Sequence, residues 1–179
     1  MIYALFGVTC VGKTTIGKAV SERLGYCFYD LDTEIKSFYN DTLTNIYDSC
    51  ICRHEIDSKK ATVLKNILDK CGGNTIIAVS PIYYTTLYKT MFIKQGVFPI
   101  VLEDTPENIA DRLVYTDFED KVIEHPTNIN RKQEVKDIRY FINRYKNAYS
   151  RIGCHYHING ESIDDAANGI INEIIKRVD

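Results

Sequence analysis

The chain begins with a short apolar run, Ile2 to Phe6, and passes at once into Gly7-Val8-Thr9-Cys10-Val11-Gly12-Lys13-Thr14. Apolar residues then recur at helical spacing (Ile16, Ala19, Val20, Leu24) until Gly25 stops the pattern. Strand, glycine-bounded loop and helix in that order leave few folds open. A fully apolar strand feeding a helix belongs in a parallel sheet covered by helices. The eight loop residues fit G-x-x-x-x-G-K-[ST] at every fixed position. Glycine at the turn points lets successive backbone N–H groups face inward. Lys13 brings a point charge to a transferring phosphate, and the N-terminus of the following helix adds to the field. Thr14 offers a hydroxyl to Mg²⁺. Gly7 through Thr14, with Thr15 beside them, are therefore expected to hold the phosphates of a nucleoside triphosphate. No N-K-x-D segment is present, which favours ATP over GTP.

The rest of the chain continues the alternation. Strands are expected at 26–29, 75–79, 97–102 and 154–158. Helices are expected at 32–39, 43–49, 55–69, 83–95, from 104 onward, over 134–150, and over a closing segment from 162 to 178. Residues 116–133 are polar and aperiodic, and a stretch of that length in a compact domain is usually functional or mobile. Five strands separated by helices imply an α/β fold with one parallel sheet and helices on both faces. No repeat or linker interrupts it, so residues 1–179 are read as a single domain.

Composition narrows the partners. Net charge is −2, from 22 basic and 24 acidic side chains, so no basic excess draws nucleic acid or an anionic membrane. No segment reaches the roughly 20 apolar residues that span a bilayer, and the first apolar run is too short for a signal peptide. A cytoplasmic protein is expected, a monomer or homodimer, with its six cysteines reduced. Cys50-x-Cys52-x-His54 and Cys154-His155-x-His157 were weighed as metal sites, but each lacks a fourth ligand nearby in sequence. Reduced cysteines are the preferred reading.

Asp30-x-Asp32 follows the second strand. In an open parallel sheet, ligands gather beyond the carboxyl ends of strands. One carboxylate is suited to Mg²⁺ and the other to an acceptor hydroxyl whose proton it takes. Arg131, inside the aperiodic stretch, is the first choice for a lid cation at the transferring phosphoryl.

From Gly7 to Ile35, "GVTCVGKTTIGKAVSERLGYCFYDLDTEI" resembles the shikimate kinase family of small P-loop kinases, through the loop and the F-x-D-x-D segment of Phe28, Asp30 and Asp32. Beyond residue 35 the resemblance is one of element order and length. It implies a three-layer, nucleoside-monophosphate-kinase-like fold with sheet order 2-3-1-4-5 and a mobile lid (about 114–134). It also implies an acceptor-binding region at about 31–60 and ATP-dependent phosphorylation of a small hydroxylated acid. By the same resemblance Lys13 and Thr14 serve phosphate and Mg²⁺, Asp30 supports Mg²⁺ and Asp32 meets the acceptor hydroxyl. Arg112 would pack on adenine, with Asn159 in the loop closing the other side.

The acceptor side departs from the family pattern. Cys10 replaces a loop glycine, and Arg53 stands without its usual neighbours. Ser80, Pro81 and Ile82 fill the place of a glycine triplet, and Arg144 only approximates a second acceptor arginine. A carboxylate favours a planar, bidentate guanidinium clamp, so these changes bear on which acceptor fits. Two alternatives stay open: a nucleoside or nucleotide kinase of the same fold, and a nucleotide-binding regulatory protein without kinase activity.

Overall fold

The computed structural model describes residues 1–176 in chain order as β1 (Ile2–Phe6), α1 (Lys13–Leu24), β2 (Cys27–Asp30), α2 (Leu31–Tyr39), α3 (Leu43–Asp48) and α4 (Arg53–Lys70). There follow β3 (Thr75–Ala78), α5 (Thr86–Gln95), β4 (Val97–Glu103), α6 (Pro106–Ala110), β5 (Tyr115–Thr116) and β6 (Val122–Ile123). The chain ends with α7 (Arg131–Tyr149), β7 (His155–His157) and α8 (Ile163–Ile175). The closing helix was expected to run to 178, and residues 177–179 lie outside the described residues.

The main sheet is parallel, in the order β2-β3-β1-β4-β7, which is the 2-3-1-4-5 order that the family resemblance implies. β1 lies at its centre, and every one of its side chains is buried, because helices cover both faces. Tyr3 pairs in register with Ile76 on one side and Phe98 on the other. At the outer edge β7 is three residues long and carries exposed His155 and His157, a short polar edge that discourages pairing with another chain.

Three elements differ from expectation, each for a local reason. α5 begins at Thr86, three residues later than expected; ahead of it the N–H groups of Tyr83 and Tyr84 donate to Asp57 Oδ2, at 2.8 and 3.1 Å, which pins this segment to α4. α7 begins at Arg131, three residues early, because the Asn130 side chain accepts from Gln133 N at 3.0 Å and caps it. Within the aperiodic stretch lies a two-stranded antiparallel hairpin, β5-β6, too short for alternation to show in sequence. Its turn closes through Asp117, whose side chain accepts from Glu119 N and Lys121 N, and through Asp120 in the left-handed region at φ 59°.

Candidate active site

The loop between β1 and α1 follows from its glycines. A Cβ on Gly7, at φ 142°, would lie 2.7 Å from Leu102 O and 2.8 Å from Val11 Cγ1, so β1 can turn this tightly against β4 only without one. Gly12 (φ 111°) begins α1 and supplies no side-chain cap. Helices α2, α3, α6, α7 and α8 all satisfy a first-turn N–H through a capping side chain. α1, like α4 and α5, has no side-chain cap, so its first-turn N–H groups are free to meet an anion.

Lys13 folds back over the loop and donates to Gly7 O at 3.1 Å and Val8 O at 2.8 Å. Burial lowers its pKa to about 8, against the opposing pull of Asp32, Cys10 and Asp30. Thr14 Oγ1 donates to Asp30 Oδ2 at 2.6 Å, and Asp30 also caps α2 by accepting from Thr33 N. A hydroxyl and a carboxylate side by side at the loop's end are hard oxygen donors of the kind Mg²⁺ takes alongside water and phosphate. Among the described residues no group of three or more His, Cys, Asp or Glu forms a metal site, including the two Cys/His clusters weighed from sequence.

Two cavities meet at the loop, and Val8 lines both. One, of about 500 Å³, is bounded by Gly7, Val11, Asp104 and Asn159 and by α7. Arg112 stands near it, donating to Cys10 O at 3.4 Å and to Asp104, whose side chain is buried, at 2.6 Å. The other, of about 580 Å³, runs from Thr9 past Asp32 and Ser80 to Arg53, Lys60 and Tyr145. Ser80 Oγ donates to Asp32 Oδ1. Tyr47, also on this wall, has its Oη buried beside Asp32. Burial, and then the charge of Asp32, pushes its pKa well up.

The candidate lid is docked over this second cavity. Leu43 N, at the start of α3, donates to Asp120 Oδ2 at 2.9 Å, and Lys36 lies 3.7 Å from the same carboxylate. At the base of the hairpin, buried Glu134 accepts from Tyr115 at 2.8 Å and pairs with His125 at 2.6 Å. Those two hydrogen bonds hold the Glu134 carboxyl below its ordinary pKa.

A family model described as shikimate kinase matches residues 9–179. The chain belongs to the shikimate kinase family. A shikimate kinase from Macrococcus caseolyticus is 26% identical over 182 residues, covering 98% of this chain and 97% of that protein. One from Rhodopseudomonas palustris is 36% identical over 74 residues, 41% of this chain. That match spans only about a third of the relative's length (35%). The solved shikimate kinase from Acinetobacter baumannii in complex with shikimate superposes with a TM-score of 0.77 at 20% identity, covering 98% of this chain and 93% of that one. At that identity the likeness concerns the fold.

Against this family background the residues chosen from sequence divide into two groups. Lys13, Thr14, Asp30, Asp32, Ser80 and Arg53 gather around the loop and the larger cavity, while Arg112 and Asn159 flank the smaller one. Thr15 is exposed on the first turn of α1. Arg131 is tied to α6, donating to Glu107 O at 2.6 Å and pairing with Asp111 at 2.7 Å. Arg144 is exposed and donates to Tyr140 Oη at 3.2 Å; the cavity is lined instead by the next residue, Tyr145. Sequence reading passed over Lys60, Asp57, Tyr47 and Glu134. Asp57 and Lys60 lie four and seven residues beyond Arg53 on α4, the spacing of one helix face. That spacing was the one signal that could have found them.

Proposed function

We infer that the protein transfers the terminal phosphoryl group of ATP to a hydroxyl of a small metabolite held in the 580 Å³ cavity. The observation that carries this reading is that one cavity is walled by the phosphate loop, through Val8 and Thr9, and by Asp32 with Ser80. Donor and acceptor machinery share a space of small-molecule size. Asp32 accepts the acceptor's hydroxyl proton, with Ser80 fixing one of its oxygens. A bond forms between the acceptor oxygen and phosphorus as the bond to the leaving ADP oxygen breaks. Lys13 exchanges the carbonyls of Gly7 and Val8 for phosphate oxygens. Thr14 and Asp30 would hold Mg²⁺, which neutralises phosphate charge when bound.

The test is ADP release with ATP and magnesium against a panel of hydroxylated carboxylic acids, including shikimate. Lys13→Ala is expected to abolish acceptor-dependent release without unfolding the chain, and Asp32→Asn to reduce it by roughly 10²–10⁴-fold. A Lys13→Ala protein that keeps its rate removes the reading. A second reading, a nucleoside or nucleotide acceptor, has support from the aromatic rings of Tyr47, Tyr115, Phe141 and Tyr145 on the cavity wall. Nucleosides therefore belong in the same panel, and the acceptor that raises ADP release separates the two.

A further inference from the structure

The hairpin β5-β6 has little packing of its own to place it. Two residue pairs join its strands, and its apolar side chains Phe118 and Val122 are 83% and 74% exposed. A ribbon of two short strands is marginal in water without outside contacts. Two carboxylates meet it. Asp120 fastens the turn, through Leu43 N of α3 and Lys36 of α2. Glu134, in the first turn of α7, fastens the base.

The contacts at the base converge on one atom. Tyr115 opens the hairpin, and His125 lies two residues past its end. Tyr115 Oη donates to Glu134 Oε1 at 2.8 Å, and His125 Nε2 meets the same oxygen at 2.6 Å. The two rings lie 5.2 Å apart, edge to face. Glu134 is only 6% exposed, and a carboxylate so placed works against folding unless donors satisfy it. Arg131, one turn earlier, bonds Glu107 O and Asp111 instead. Burial, and then the bond to Glu134, pushes the Tyr115 pKa up to about 12, so its hydroxyl remains a donor. Tyr115 and Glu134 both line the larger cavity.

We propose that Glu134 is a positioning residue for the transfer: it clamps both ends of the hairpin and so holds Tyr115 across the acceptor cavity, shutting out water. The inference rests on the phosphoryl-transfer reading above, and goes beyond it in naming the residue that keeps the cavity closed. Glu134 acts through Tyr115 and touches no reacting atom. With the base loosened, water competes with the acceptor hydroxyl for the phosphoryl group. ATP and water then give ADP, inorganic phosphate and a proton, and no phosphorylated acceptor.

Hydrogen exchange on the full chain holding ADP reads the clamp directly. In Glu134→Ala the amides of residues 116–123 are expected to exchange roughly 10-fold faster, the effect of losing about one hydrogen bond, while those of β1 and β4 stay as in the wild type. Glu134→Gln, which keeps an oxygen acceptor in the same place, should recover most of the protection. ADP uptake by calorimetry checks folding, and Tyr115→Phe, which leaves the carboxylate, replaces Glu134→Ala if that variant fails the check. With ATP and an acceptor that raises ADP release, the yield of phosphorylated acceptor per ADP should fall about twofold or more in Glu134→Ala and return in Glu134→Gln. Unchanged exchange in the hairpin overturns the proposal, as does faster exchange throughout the sheet, which would mark a role in the fold alone. An unchanged yield from a loosened hairpin overturns it too. A loosened hairpin with no acceptor that raises ADP release would defeat the functional reading alone and leave the clamp standing.

Discussion

Asp57 is fully buried and serves three groups at once: the Arg53 guanidinium and the N–H groups of Tyr83 and Tyr84. Removing it strands a cation and two backbone donors. Asp57→Ala is therefore expected to lower unfolding free energy by about 3–5 kcal/mol, measured by urea titration; a loss under 1 kcal/mol would mean that water replaces the carboxylate. In sequence, Arg53 and Asp57 look like an ordinary exposed i,i+4 pair. Nothing in their spacing says that α4 turns this face toward the 80–84 segment. The loop residues were legible because their motif is local, with each role set by backbone geometry a few residues away. The acceptor residues were not, because α4, the 80–84 segment and α7 meet only in the folded chain. Arg144 and Tyr145 make the point: one step along a helix rotates a side chain by about 100°, enough to exchange solvent for the cavity.

At the scale of elements, the hairpin β5-β6 is bound to α2 and α3 through the single carboxylate of Asp120. Asp120→Ala removes that contact without touching the loop. On the proposed function it should raise the acceptor KM several-fold and leave the affinity for ADP unchanged, since Tyr115 of the hairpin lines the larger cavity; equal effects on both ligands would refute a role confined to a lid. Packing of α1 against the sheet gives a second expectation. A Cβ on Gly17 would meet Phe28 at 2.7 Å and Leu5 at 3.1 Å, two side chains of the sheet itself. Gly17→Ala should thus destabilise by about 1–3 kcal/mol, despite alanine's better helix propensity, and a stabilised variant in thermal unfolding would show that the sheet yields. The longer elements were readable because their apolar period holds over several turns. The hairpin, two residues a side, offers no period to read.

Stability belongs to the molecule as a whole, and here it is linked to a lysine in the wall of the larger cavity. Lys60 has its pKa lowered in the fold, from 10.5 to about 8. The unfolded chain binds the proton more tightly, so this lysine opposes folding most below pH 8, and its cost fades as pH rises from about 8 to about 10.5. Lys60→Met should be the more stable protein at pH 7, with its advantage over the wild type shrinking across that window. Urea midpoints at successive pH values measure the gap, and a gap that widens would reverse the assignment.

The posture of Lys13 has a consequence of its own. Its ammonium rests on two carbonyls of its own loop, so an empty nucleotide cradle is never left with a stranded cation. On the proposed function, an arriving polyphosphate would have to win that side chain away from neutral oxygens, and a departing one would hand it back. The loop thereby carries its own placeholder, which on the proposed reaction would trim the grip on spent nucleotide and ease its release.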